Sequence, residues 1–282
     1  MSENREKIMG NCILHSSDCR NTLFVFQDGD AVPSYLIKIY DKSRQSHLGH
    51  LRELTERINL HGSDVLGGSV PRILRCGETN GFYFVHEEYI DAVPMEMDAG
   101  RKRLSWEKAF LQNLKLAATW IGHFHKNFRG ERRFLFKRQD IMSLLDKAGA
   151  FLETSFLEIS DGDVEVASVV SHGDFRPANI LKRGQGISVI DWDDFRPEGL
   201  PLFDLMEFIL RYIHSHYKFE KERVILDQEV FLKYFNLFYV KRSRLSESVR
   251  KYIGIYSGHA GLNEKERDTL LLLWLCNMLR IS

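Results

Sequence analysis

Between Val169 and Asp191 the chain reads VVSHGDFRPANILKRGQGISVID, and three residues in it carry chemistry: Asp174, Asn179 and Asp191. Two apolar runs, Asn179 to Leu181 and Ile187 to Ile190, flank the turn KRGQG and predict a hairpin. The hairpin would bring Asn179 and Asp191 to one end of a two-stranded ribbon. Asp174 stands five residues before Asn179, in a loop whose course Pro177 restricts. A carboxylate, an amide oxygen and a second carboxylate then converge on one point. Hard oxygen ligands suit Mg²⁺, and no His or Cys cluster competes for the ion. Such a set can hold Mg²⁺ between phosphate oxygens while Asp174 accepts a proton from a hydroxyl. An HGD tripeptide alone is a weak signal, because an aspartate in a loop is usually a turn residue or a cap. Weight comes from the agreement of HGDxxxxN, a following hairpin and IDW on its second strand.

These residues need elements to position them. The first ninety residues read as strands at Cys12 to His15, Thr22 to Gln27 and Ser34 to Tyr40, separated by the turn clusters SSDCRN and QDGDAVP. A helix follows at about Leu48 to Leu60, then a strand from Pro71 to Leu74, the GETNG turn and a strand from Phe82 to Tyr89. From about Ser105 the texture is helical, with a broad apolar face from Leu111 to Phe124 and a second helix expected over Arg138 to Leu157. The residues after Leu210 read as helical again. With 44% hydrophobic residues and nineteen Phe among 282, the chain can bury a sizeable core.

The charges balance, thirty-nine Lys and Arg against thirty-nine Asp and Glu, which disfavours a general nucleic-acid binder. Four cysteines form no CxxC pair, so neither a disulfide framework nor a zinc site is expected. No apolar run has the length of a signal peptide or a membrane span, and a soluble cytoplasmic protein is expected.

The chain resembles the aminoglycoside phosphotransferase and choline kinase family. The residues that carry the likeness are His172-Gly173-Asp174, Asn179, Ile190-Asp191-Trp192 and Gly199-x-Pro-x-x-Asp204-Leu205. The resemblance implies an α+β, two-lobed, protein-kinase-like fold: an antiparallel-sheet lobe with one helix over residues 1–90, a hinge about 88–91, and a mainly helical lobe over 91–282. It implies a small-molecule kinase that moves the γ-phosphate of ATP, or of GTP, to a hydroxyl. Asp174 would be the catalytic base, Asn179 and Asp191 would hold Mg²⁺, and Asp204 would bond to the backbone of the catalytic loop.

Other parts of the family pattern can be tried on the residues. In LIKIY, Lys38 is a charge within an apolar strand, costly unless paired. Phosphate oxygens and a helix carboxylate would pair it, Glu53 first and Glu56 as the rival. On this reading Lys38 serves the phosphate site and not the stability of the fold, since Glu53 could reach water in an open cleft. Backbone groups of Glu88 and Ile90 at the hinge would meet the nucleotide base. There is no GxGxxG between the first strands, which leaves phosphate cover to backbone donors and the side chains of Ser16, Ser17 or Asn21. Arg176 could reach the transferred phosphate with its guanidinium fork, or simply lie on the surface. His125 is expected to be buried and bonded to backbone, and His172 to brace the catalytic loop.

The acceptor must offer a hydroxyl. From Gly199 to Ser282 thirteen Lys and Arg stand against ten Asp and Glu, which favours a neutral or anionic sugar-like acceptor over a polycation. A catalytically silent nucleotide-binding or scaffold protein is the alternative. Degenerate members usually lose a base or a metal ligand, and here Asp174, Asn179 and Asp191 are all present.

Overall fold

The computed structural model describes residues 5–9, 12–16, 20–27, 29–61, 64–98, 103–159, 161–221 and 226–281. The fold is α+β, and the chain divides into two compact units. One comprises Met1–Val93 together with Ser188–Asp193; the other comprises Pro94–Ile187 and Asp194–Ser282.

In the first unit six strands form one sheet: β1 (Arg5–Met9), β2 (Cys12–Ser16), β3 (Asn21–Val25), β4 (Tyr35–Asp41), β5 (Ile73–Thr79) and β6 (Phe82–Glu88). Their order is β1-β2-β3-β4-β6-β5 and every pairing is antiparallel. The hairpin between β5 and β6 closes on Asn80 and Gly81, with φ of 49° and 81°. Two positive φ values in succession match the twist of the flanking strands, which is why Asn-Gly signals this turn. Helix α1 (Gln45–Asn59) connects β4 to β5 and buries Leu48, Leu51, Leu54, Thr55 and Ile58, a stripe at helical spacing. Strand β1, for which the sequence gives no clear signal, extends the sheet edge through five pairs with β2.

The second unit is mainly helical, beginning near the two-residue strand β7 (Val93–Pro94). Its helices are α2 (Arg103–Asn127), α3 (Arg138–Gly149), α4 (Phe203–Lys221), α5 (Gln228–Phe235), α6 (Arg244–Ala260) and α7 (Glu264–Leu279). Helix α7 starts on a reciprocal cap between Asn263 and Glu266 and is buried on nearly every side, from Leu270 to Leu279. Strands β8 (Arg129–Phe136) and β9 (Val164–Ser171) pair antiparallel, and β12 (Arg196–Gly199) adds to the other edge of β9. This sheet departs from the expected helical texture. β8 reads RGERRFLF, whose charges hide the alternation, and its exposed side chains show that only one face meets the core. Helix α3 also stops at Gly149, well short of the expected Leu157. Strands β10 (Ile180–Arg183) and β11 (Gly186–Val189) flank the turn at Gly184, whose φ is +58°, as the hairpin reading expects. Among the described residues no helix is long and apolar enough to cross a membrane.

Candidate active site

Within the second unit the HGD loop follows β9 directly. The carboxylate of Asp204, at the start of α4, accepts from the backbone N–H of His172 at 2.8 Å and from that of Gly173 at 3.2 Å. A buried carboxylate thus satisfies two loop amides that no ladder can reach. Gly173 has φ +82°, and a Cβ there would sit 2.1 Å from the carbonyl oxygen of Asp194, so only glycine fits. His172 is fully buried, and its Nδ1 accepts from the N–H of Asp174 at 3.2 Å. The expected brace is therefore a ring-to-backbone bond within the loop, made to the N–H of Asp174 itself.

Asp204 is itself held by a chain of bonds. Leu202 N–H donates to the Tyr256 hydroxyl at 2.6 Å, and that oxygen is 2.7 Å from Nδ1 of His125. Nε2 faces the Asp204 carboxylate across 3.4 Å, an acceptor only, so Nε2 carries the proton and Nδ1 of the neutral ring accepts from the Tyr256 hydroxyl. His125 is fully buried as expected, but its partners are the side chains of Tyr256 and Asp204 and not the backbone. Burial alone would raise the Asp204 pKa. The His125 bond, the two histidines and the loop amide outweigh burial and hold it below the usual carboxylate range.

Asp174 is half-buried. Its Oδ2 accepts from Nδ2 of Asn179 at 2.9 Å and lies 3.0 Å from Nε of Arg176. Asn179 Nδ2 also donates to the Asp174 carbonyl at 3.0 Å, so the amide nitrogen faces Asp174 and the amide oxygen is the atom that could ligate a cation. Arg176 is exposed and spends its guanidinium on Asp174. Near this loop a cavity of about 260 Å³ is lined by Gly173, Arg196, Glu207, Trp274 and Asn277 among others.

Within the first unit Lys38 is 5% exposed, and its Nζ lies 3.0 Å from Glu87, 3.5 Å from Asp191 and 3.6 Å from Asp193. Neither helix carboxylate fills the expected role. Glu53 and Glu56 are exposed on α1, and Glu56 pairs with Arg52. The buried stripe of α1 turns Leu51 and Leu54 inward, which carries the intervening glutamate outward. Burial lowers the Lys38 pKa, but Glu87, Asp193, Tyr40 and Asp191 outweigh it and the ammonium is held well above its ordinary range. Burial in turn raises the Glu87 carboxyl.

The segment bearing Asp191 is pinned at several points. Val189 N–H donates to the Ser69 carbonyl at 2.8 Å, and the Trp192 indole N–H donates to the Val189 carbonyl at 3.0 Å. The Asp193 carbonyl accepts from Arg44 at 2.8 Å, and the Tyr40 hydroxyl donates to Asp193 Oδ1 at 2.8 Å. Asp191 itself has φ +65°, a left-handed conformation that a non-glycine residue holds at a cost of about 1–3 kcal/mol. Arg20 bonds both Asp191 and Asp193.

At the end of β6, Glu88 N–H donates to the Arg72 carbonyl at 2.9 Å and its side chain pairs with Arg72. The Glu88 N–H is therefore already paired, and Ile90 lies in the irregular stretch between β6 and β7. Ser17 lies outside the described residues. Arg20, Glu87 and Tyr256 were not foreseen. Glu87 stands two residues from the residue facing Lys38, a signal that needs the strand register; Tyr256 and Arg20 carry no local signal.

A family model described as the phosphotransferase enzyme family matches residues 11–220. No curated protein matches the chain. Among solved structures, the kinase domain of Mycobacterium tuberculosis PknI, in a cysteine-to-alanine mutant form, is 10% identical. The match covers 99% of this chain and 100% of that one at a TM-score of 0.38, a likeness too slight to carry an argument.

Proposed function

Because the chain belongs to the phosphotransferase enzyme family, we propose that it transfers the γ-phosphate of ATP to a hydroxyl of a small molecule, with Asp174 as proton acceptor. The observation that carries this reading is the bracing of one carboxylate. His172 Nδ1 holds the Asp174 N–H, and Asn179 and Arg176 both bond its Oδ2. Positioning of this kind is most of what phosphoryl transfer asks of a protein.

The oxygen donors of Asp191, Asp193 and Asn179 fit a hard divalent cation. Asp191 and Asp193 are carboxylates faced by cationic side chains, and Asn179 keeps an amide oxygen. The set offers carboxylate and amide oxygens alone. That suits Mg²⁺, which is usually held by one or two carboxylates and completed by phosphate oxygens and water. Bound Mg²⁺ would neutralise charge on the transferring phosphoryl group. Asn179 and Asp191 are its proposed ligands. Lys38, fixed by Glu87, contributes a preorganised positive charge to the phosphates, while Glu88 and Ile90 offer backbone groups to the base.

Arg196, Glu207 and Asn277 give the cavity near Gly173 both charges and an amide. Such a lining suits a neutral or zwitterionic polyol or amino alcohol better than a polycation. Asp174, Asn179 and Asp191 all remain, which argues against a silent scaffold. The test is phosphate transfer from Mg·ATP across a panel of sugars and amino alcohols. Nucleotide binding with no transfer to any of them would favour the silent scaffold, whereas transfer that is lost in Asp174→Asn would exclude it.

A further inference from the structure

The connection between β2 and β3 ends at Arg20, a residue without a role in the reading above. Its side chain is only 22% exposed and lies across two carboxylates. Nη1 bonds Oδ1 of Asp191 and Oδ2 of Asp193, and Nη2 donates to Oδ2 of Asp191 at 2.9 Å. The contact with Asp191 is bidentate, the strongest form of an arginine–carboxylate pair. Lys38 approaches the same two carboxylates and Glu87 besides. Arg20 and Lys38 thus converge on the same pair of carboxylates, and exchange of the guanidinium for a divalent ion would bring one more positive charge to them.

We propose that Arg20 is a phosphate-binding residue of the nucleotide site which, without nucleotide, is parked on Asp191 and Asp193 and must leave before a divalent cation can use their oxygens. The inference rests on the phosphotransferase reading. Three features support it. The oxygens that Arg20 occupies are those proposed for the ion, so the two cations compete. A guanidinium fork that fits a carboxylate bidentately fits a phosphate equally well, so the released side chain has an incoming partner. Arg20 also belongs to the SSDCRN stretch, where the absence of a glycine run leaves phosphate cover to other donors. If about nine molecules in ten are parked, the apparent dissociation constant for the ion rises about tenfold.

Mn²⁺ alone, titrated into nucleotide-free protein and followed by the loss of the free-ion electron paramagnetic resonance signal, reads this competition without turnover. Arg20→Met should tighten Mn²⁺ binding about tenfold. The same variant should weaken ATP binding, measured by calorimetry with Mn²⁺ present, by roughly tenfold or more. These opposite shifts are the signature, because a merely structural arginine would weaken both. Unchanged or weaker Mn²⁺ affinity in a folded Arg20→Met overturns the proposal. Should that variant fail to fold, Arg20→Lys keeps the charge and loses the fork. It should shift both affinities in the same directions by smaller factors, and no shift overturns the proposal. Wild-type protein that binds neither Mn²⁺ nor ATP overturns the phosphotransferase reading and this inference together, whereas normal wild-type binding with an inert variant overturns the inference alone.

Discussion

The ammonium of Lys38 pairs across the sheet with Glu87, 3.0 Å away and two residues along β6 from Val85, the residue that faces it. Both partners are buried, and the diagonal cross-strand position puts them on one face. The charge needed at the end of a lysine stem is thus supplied by the sheet itself, and helix α1 is left to pack apolar residues.

This pairing reverses an expectation about Lys38→Met. With Glu53 as partner, the variant would leave a carboxylate that reaches water. With Glu87 it leaves a buried carboxyl without its main counter-charge, and losing one partner of a buried pair costs about 3–5 kcal/mol. Chemical denaturation should therefore show Lys38→Met destabilised by several kcal/mol, and Lys38→Met/Glu87→Gln should recover most of the loss. Turnover should fall roughly a hundredfold in both, on the scale of one preorganised charged contact to phosphate. Recovery of turnover in the double variant would show that Lys38 acts only through stability.

Asp174→Asn preserves shape and leaves the His172 brace on the backbone intact. Single-turnover transfer should drop about 10² to 10⁴-fold, the range for loss of a general base. ATP affinity should stay within about twofold, because every proposed nucleotide contact lies elsewhere. More than half the wild-type turnover would remove Asp174 from the mechanism.

Much of the site was legible because local sequence encodes it. HGD, Asn179 and IDW carry turn and strand signals at fixed spacing, and the family resemblance carried by Gly199-x-Pro-x-x-Asp204-Leu205 implied the amide contacts of Asp204. What stayed hidden depends on register and long-range packing. Glu87 is visible as a partner only once Lys38 is aligned with Val85. Tyr256 reaches His125 across 131 residues of sequence. Strand β8 was obscured because four of its eight residues are charged and lie on a half-exposed sheet. Arg20 stands in the polar stretch SSDCRN, with no apolar pattern to mark it.

Asp204 makes stability depend on acid in a definite direction. Its pKa is depressed in the folded state, so the unfolded chain takes up the proton first as pH falls. Its contribution is fully present above the ordinary aspartate value of about 3.9 and is lost as pH drops through the folded value. In Asp204→Asn the amide can offer one oxygen to donors that now share two, which costs about 1–3 kcal/mol for an unsatisfied buried group. Urea unfolding should show the variant less stable at neutral pH, with the gap to wild type narrowing in acid below that value. A gap that stays constant to pH 2 would mean that the charge on Asp204 does not stabilise the fold.

Gly173 is the position where the loop tolerates least. Its φ of +82° is strained for any L side chain, and an added Cβ would meet the carbonyl of Asp194 at 2.1 Å, a backbone atom that no rotamer change can move. Gly173→Ala must therefore push the loop away from Asp194 or twist Gly173 out of the left-handed region. Either movement draws its N–H from Asp204, 3.2 Å away, and shifts Asp174, the next residue. A cost of about 1–3 kcal/mol is expected from the backbone conformation alone. Misplacing the reacting carboxylate by about an ångström should cost roughly a hundredfold in turnover on top of that. Gly81 is the control: it also has positive φ, +81°, but nothing lies within 4 Å of its Cβ position. Gly81→Ala should therefore show a comparable conformational penalty in unfolding experiments with turnover per folded molecule unchanged. Equal turnover in the two variants would show that the close approach to Asp194 does not hold Asp174 in place.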